Sequence, residues 1–393
     1  MDTLTTPLNW QRVGLGDIGK PCMCKRVMKH QTTRYGEIPF YKIGTFGNTA
    51  DAFISKKLFL EYKTKYSFPK KGDILISASG TIGRAVIYDG KPAYFQDSNI
   101  VWIDNDETLV KNDFLFYVYS HVKWNTEHTT ILRLYNDNFR NTLIPLPPLN
   151  EQIAIANILS GLDRYLYSLD ALILKKESVK KALSFELLSQ RKRLKGFNQA
   201  WQRVRLGDIC EFGNGEAYET LIVENGNFKL ISLNSIDIDG NLKNTMKRVN
   251  FYDNSLKQDD IVMVLSDVAH GDFLGLCAVI PSNDYVLNQR MGRLRKRNDC
   301  INILFLRLYI NASQKYFKMQ GQGSSQLNLS KKAIEDFEIP LPPLDEQIAI
   351  ANILSALDSE IISLKNKKRQ QFENIKKALN HDLMSAKIRV LNK

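Results

Sequence analysis

The sequence predicts an α+β protein: two β-rich domains with helices, separated by a long antiparallel coiled coil of two repeat-related helices in pseudo-twofold relation. Three observations carry this. Residues 144–163, "IPLPPLNEQIAIANILSGLD", recur at 339–358 as "IPLPPLDEQIAIANILSALD", with eighteen of twenty positions identical at an offset of 195. "WQRVGLGDI" (10–18) recurs as "WQRVRLGDI" (201–209). Downstream of each proline-rich junction, apolar residues step by four and three. Repetition of this kind sets the architecture before any local feature is read.

Taken in order, the chain divides into residues 1–149, 150–196, 197–344 and 345–393. The first and third segments hold the β-rich domains. "DILISASGTIGRAVIYDG" and "AYFQDSNIVWID" alternate like strands joined by glycine turns, and "KKGDILIS" (70–77) has a looser counterpart in "KQDDIVMVLS" (257–266). A helix follows in each, over 111–128 and 301–320.

The second and fourth segments are helices. Pro147-Pro148 and Pro342-Pro343 end what precedes them, because a residue before proline avoids the α region. Asn150 and Asp345 stand where an N-cap acceptor is wanted, and Glu151 and Glu346 suit the positive end of the helix dipole. The first apolar seam runs Ile155, Leu159, Leu162, Leu166, Leu169, Ile173, then polar Lys176 and Lys180, then Leu183 and Leu187. The second runs Ile350, Leu354, Leu357, Ile361, Leu364, then polar Lys368 and Gln371, then Ile375, Leu379 and Leu383. With no glycine or proline in 162–195 or 345–393, each helix is expected to run about 45 residues, or about 65–70 Å, the first ending near Gly196. Such a narrow stripe needs a partner, and the duplicate helix is the natural one. The polar interruption in each is expected to mark looser packing or a register-setting contact.

Composition narrows the function. A hydrophobic content of 44% with 24% charged residues fits a soluble globular protein, and a net charge of +12 (pI about 9.3) points to a polyanionic partner. No signal peptide is evident and no apolar run reaches the ~18 residues of a membrane span, which reads as cytoplasmic. The five cysteines are odd in number and scattered, consistent with a reducing compartment, and neither they nor the histidines have metal-site spacing. Walker A, glycine-rich cofactor and methylase tetrapeptide motifs are absent, and no nuclease-like carboxylate cluster stands out. The chain therefore reads as a binding module.

Two domains each opening on Trp…Leu-Gly-Asp-Ile, "GDILIS…GTIGR" in the first, and "IPLPPLxEQIAIANIL" before each long helix resemble the specificity (S) subunits of Type I restriction-modification systems. The resemblance covers nearly the whole chain. It implies two target-recognition domains (1–149 and 197–344), two conserved-region helices (150–196 and 345–393), and a bipartite double-stranded DNA target with an unread spacer. It implies as partners two methylation (M) subunits and, through them, two restriction (R) subunits. These would hold S-adenosylmethionine, ATP and Mg; this chain would need no cofactor or metal and perform no reaction. In the second domain "SDVAHGDFLG" replaces "SASGTIGR", so DNA contacts do not transfer there position by position. A stand-alone DNA-binding regulator, or a relative of a fused enzyme, are the competing readings.

Base edges are read by Arg at guanine and by Asn or Gln at adenine, and phosphates by basic clusters. In the first domain the candidates are Ser77, Ser79, Thr81 and Arg84; Gln96, Ser98 and Asn99; and Asn136, Asn138 and Arg140, with Lys25, Arg26, Lys29 and Arg34 for phosphates. In the second they are Ser266, His270, Asn288, Gln289 and Arg290, then Gln322, Ser324, Ser325, Gln326 and Asn328. Apolar positions off the seams, Ile158, Leu172, Ile353 and Ile362, either dock partner helices or extend the chain's own core.

Overall fold

The computed structural model describes residues 9–124, 133–268 and 271–390. It divides into two compact units, Met1–Ala171 with Lys365–Lys393, and Leu172–Leu364. The cuts fall inside the long helices, so each unit holds one β-rich domain and a portion of both helices.

Among its described residues unit 1 contains nine strands: β1 (Gln11–Gly14), β2 (Gly19–Met23), β3 (Ile38–Tyr41), β4 (Phe53–Ile54), β5 (Ile74–Ser77), β6 (Ala85–Ile87), β7 (Tyr94–Phe95), β8 (Ile100–Asn105) and β9 (Leu143–Leu146). An antiparallel sheet has the order β2-β8-β5-β6, a mixed one β4-β3-β7, and β1 pairs with β9. Alternation along a strand sends neighbouring side chains to opposite faces. Ile74 and Ile76 of β5 enter the core under helix Asn112–His121, while Leu75 joins an aromatic core with Phe40, Tyr94 and Trp102.

Unit 2 repeats this plan with β10 (Gln202–Arg205), β11 (Cys210–Asn214), β12 (Phe228–Ile231), β13 (Arg248–Val249), β14 (Ile261–Val264), β15 (Ser266–Val268), β16 (Cys277–Val279), β17 (Tyr285–Leu287), β18 (Met291–Lys296), β19 (Gln326–Asn328) and β20 (Glu338–Leu341). The orders are β11-β18-β14-β16, β13-β12-β17 and β10-β20, with an added β15-β19 ribbon. Ile261 and Met263 face one core, Val262 and Val264 the other. The helix expected over 301–320 is two, Ile303–Ala312 and Gln314–Gln320, broken at Ser313. Helix Lys56–Lys65, capped by Ser55, was not foreseen.

The long helices span Leu149–Leu188 (40 residues) and Leu344–Met384 (41 residues), each about 60 Å. Both are shorter than expected, and the first stops before Gly196. Gln190 and Ala386 adopt left-handed conformations (φ 61° and 55°) just past the ends and turn the chain. Leu187 and Leu188 enter the unit 2 core, Leu383 and Met384 that of unit 1. Asn150 and Asp345 lie inside the first turn rather than at the cap, because the helices already start at Leu149 and Leu344. The second helix is also long and apolar enough, by length and a window of mean hydropathy 1.3, to cross a membrane, contrary to expectation. In this fold its Ile350, Ala351 and Leu354 belong to the unit 2 core.

Cross-helix ion pairs lie at and beside the polar interruptions. In unit 1 Asp163 pairs with Lys376, and Asp170 with Lys368 at 2.7 Å. In unit 2 Lys176 pairs with Glu360 at 2.7 Å, and Lys180 with Asp358. Rising numbers meet falling ones, so the segments run antiparallel inside each unit. The second seam slips by one residue. A π-helical stretch, Lys367–Glu373, adds a residue to the turn. Phe372 (4.5 Å from the Tyr165 ring) and Lys376 then take the inward places expected of Gln371 and Ile375, and Ile375 is 49% exposed.

The duplicated junction is a joint. Glu151 is buried, accepting from Trp10 Nε1 at 3.1 Å and from Arg389 at 2.7 and 3.0 Å. Glu346 does the same for Trp201 (2.9 Å) and Arg193 (3.0 and 2.5 Å). Beside them Gln152 accepts from the Lys111 N–H and donates to the Leu109 and Pro147 carbonyls. Gln347 does so with Asn302, Cys300 and Pro342. The glutamates thus seat each β-rich domain on its helix, a larger role than meeting a dipole.

Candidate nucleic-acid interface

In unit 1 the β5–β6 loop folds against the β7–β8 turn. Gly83 (φ 82°) permits the approach of Trp124, whose indole nitrogen would lie 2.1 Å from an added Cβ. Ser77 is 2% exposed; its hydroxyl donates to the Thr81 carbonyl and accepts from the Arg84 N–H at 3.0 Å. Ser79, also buried, donates to Asn99 Oδ1 at 2.8 Å. Both serines therefore build the loop, because their hydroxyls are consumed inside it. Gln96 accepts from the Ile43 N–H at 3.0 Å, and Arg84 donates to the Phe46 carbonyl while remaining largely exposed. Thr81 is exposed at the tip. Ser98 takes a left-handed conformation (φ 57°), which is costly for a residue with a side chain.

The basic segment joins this turn through Arg26, which pairs with Asp97 at 2.7 Å. Lys25 lies over the Tyr66 ring, and Lys29 and Arg34 are exposed. Helix Asn136–Arg140 follows a segment tied to the β5–β6 loop, where Arg133 bridges Ser79 and the Leu134 N–H donates to the Ala78 carbonyl. At its far end Arg140 packs across Gly16 of the Leu-Gly-Asp turn, and the Asn138 carbonyl accepts from Thr142. Asn136 is exposed on the same helix.

Unit 2 has the same meeting of loops with other side chains. Gly275 (φ 78°) lies against Phe317 as Gly83 does against Trp124. Buried Ser266 donates to Asn328 Oδ1, and Asn328 pairs back to Gln322 through its backbone. Gln326 lies opposite Val268 in the β15–β19 ribbon, and Ser324 and Ser325 are exposed at its connection. Arg290 is left-handed (φ 66°) and exposed, and its carbonyl accepts from the Leu265 N–H at 3.0 Å. His270 lies outside the described residues.

Asn288, expected at a base edge, is 3% exposed, because its carbonyl caps the Tyr218 N–H at 3.0 Å. Its amide donates to Glu219 at 2.9 Å, and that of Gln289 donates to the other oxygen at 2.8 Å. These hydrogen bonds, that from Gln289 foremost, hold the Glu219 carboxyl below its ordinary range. Glu219 and Lys247, neither singled out in the sequence, line a cavity of about 340 Å³ with Asn234, Gln289 and Arg290.

The candidates therefore converge as two groups, one per unit: 77–84 with 96–99 and Arg26, and 266 with 290 and 322–328. Of the off-seam apolar residues, Ile158, Leu172 and Ile362 are exposed by 39–46%, so they do not extend the core, whereas Ile353 is half-buried. Among the described residues no cluster of His, Cys, Asp and Glu could hold a metal ion.

Comparison with known proteins bears on this geometry. The profile of the Type I restriction modification DNA specificity domain matches residues 7–176 and again 198–374. The MjaVIII Type I restriction enzyme specificity subunit of Methanocaldococcus jannaschii is 29% identical over 100% of this chain and 96% of its own. A Haemophilus influenzae protein, provisionally named as the type I restriction enzyme specificity subunit S.HindORF215P, is 64% identical over 148 residues, 37% of this chain and 38% of that one. The crystal structure of the S subunit from M. genitalium shares the fold, with a TM-score of 0.64 at 19% identity and 98% coverage of both chains. Two copies of one domain, each with its own loop chemistry, together with both profile matches, place this chain in the Type I restriction-modification DNA specificity family.

Proposed function

We propose that this chain is the specificity subunit of a Type I restriction-modification complex and reads a two-part DNA target, one part per β-rich domain. The observation that carries it is the repeated strand order with different side chains at the same turn: Gln96, Asp97, Ser98 and Asn99 between β7 and β8, against Asn288, Gln289 and Arg290 between β17 and β18. Similar scaffolds with unlike loops suit a target that is not a palindrome, whereas a symmetric homodimer presents identical readers. The antiparallel ion pairs within each unit, and a first long helix unbroken across 40 residues, support a coiled-coil rod of pseudo-twofold character that fixes the spacing of the two half-sites.

In this reading the domains are 1–149 and 197–344, and the rod is 150–196 with 345–393. Exposed Ile158, Leu172 and Ile362 would offer apolar contacts to methylation subunits, through which restriction subunits join. Methyl transfer, DNA cleavage and the S-adenosylmethionine, ATP and Mg they need would belong to those partners, in the cytoplasm. A base must leave the stack to be methylated, and this chain's part would be to hold the duplex where that happens.

Mapping methylated adenines genome-wide in cells carrying this subunit and its methylase tests the proposal. The expected result is one motif of two unlike parts around an unread spacer. A chain that footprints DNA tightly alone and captures no methylase would overturn it.

A further inference from the structure

The two units carry opposite chemistry at one equivalent place. In unit 1 a short helical turn, Lys29–Gln31, precedes β3, and Arg26 beside it pairs with Asp97 of the β7–β8 turn. In unit 2 the matching turn, Glu219–Leu221, precedes β12, and Glu219 is held by Asn288 and Gln289 of the β17–β18 turn. The match is topological. Each turn is followed by a bridge to the strand beside the next one, Thr33 to Phe53 and Val223 to Arg248. The first unit offers cations where the second offers a carboxylate.

That carboxylate is exposed, beside left-handed Arg290, on the rim of the 340 Å³ cavity. An ionised carboxylate has about four acceptor positions, of which Asn288 and Gln289 take two. Near phosphates a negative charge is repelled, so its place among DNA-reading loops is favourable when it accepts a hydrogen bond from a base. Exocyclic amino groups are the major-groove donors, cytosine N4 and adenine N6. We propose that Glu219 is a specificity-determining residue of the second domain, accepting a hydrogen bond from the amino group of one cytosine or adenine in that domain's half-site. The two amides orient the carboxylate, and the cavity admits the base edge.

This rests on the DNA-specificity reading, so wild type and variants are compared in one experiment. Complexes with the methylase subunits, carrying wild type, Glu219→Ala or Glu219→Gln, are profiled genome-wide for methylated sites, and against duplexes varied at each position of the motif. Glu219→Ala should lower discrimination at one base pair of one half-site by roughly 10- to 100-fold, leaving the other half-site unchanged. Glu219→Gln separates the two bases: at a cytosine it should shift preference toward adenine, and at an adenine it should keep it. Unchanged discrimination at every position with Glu219→Ala would overturn the assignment. So would a uniform loss of methylation across all sequences, which would mark Glu219 as a prop for the turn alone. A wild-type complex without a two-part motif would overturn the underlying reading as well.

Discussion

Glu346 receives two N–H groups of Arg193, at 3.0 and 2.5 Å, and the Trp201 indole N–H at 2.9 Å, with no exposure to solvent. Removing a buried charge's partner strands the other charge, at a cost of about 3–5 kcal/mol. Glu346→Ala should therefore lower stability by about that much in chemical denaturation. Arg193 is itself 28% exposed, which sets the expectation near the lower end. Glu151→Ala should act likewise in unit 1 through Arg389 and Trp10.

The pairing of Lys180 with Asp358 should be visible as coupling between the two positions. Lys180→Glu alone places like charges together, and adding Asp358→Lys restores the attraction. With both side chains partly solvated (27% and 28%), a coupling of about 0.5–1 kcal/mol is expected from the double-mutant cycle. It should shrink in high salt.

Gly275→Ala should be poorly tolerated. The added Cβ would lie 2.5 Å from the Phe317 ring on a backbone at φ 78°. Overpacking and a left-handed alanine together suggest a loss of about 2–4 kcal/mol. The denaturation midpoint measures it, and the smaller Phe317→Leu side chain should recover part of the loss.

Acid should loosen unit 1. His121 lies 5.3 Å, ring to ring, from His381, and burial first, then the charge of His381, holds its pKa below the ordinary 6.5. The unfolded chain then takes up a proton before the folded one does. Stability is complete above pH ~6.5 and falls as pH drops below it toward the folded-state pKa. His121→Gln should flatten this slope when unfolding midpoints at pH 8 and pH 5 are compared.

The doubled junction, the β-rich domains and the helix seams were legible because each rests on spacing, which survives in one dimension. Helix ends were not. Gln190 and Ala386 adopt a conformation usually left to glycine, so nothing in their residue types announces a stop. The π-helical residue that exchanges Ile375 for Lys376 was invisible too, since the heptad count alone favours Ile375. At the candidate interface the sequence located the loops but not the roles within them. Ser77 and Asn288 look like surface polar residues and are buried fasteners. Glu219 belongs to no motif, and only strand order aligns its turn with Lys29.

The joint around each glutamate has a consequence for engineering. Its three members come from distant stretches: Trp10, Glu151 and Arg389 in one unit, Trp201, Glu346 and Arg193 in the other. Since both sockets use the same residue types, a cassette cut between the tryptophan and the double proline carries its reading surface without the fasteners. Such a graft should dock in either socket, so new pairings of readers could arise by exchanging whole cassettes.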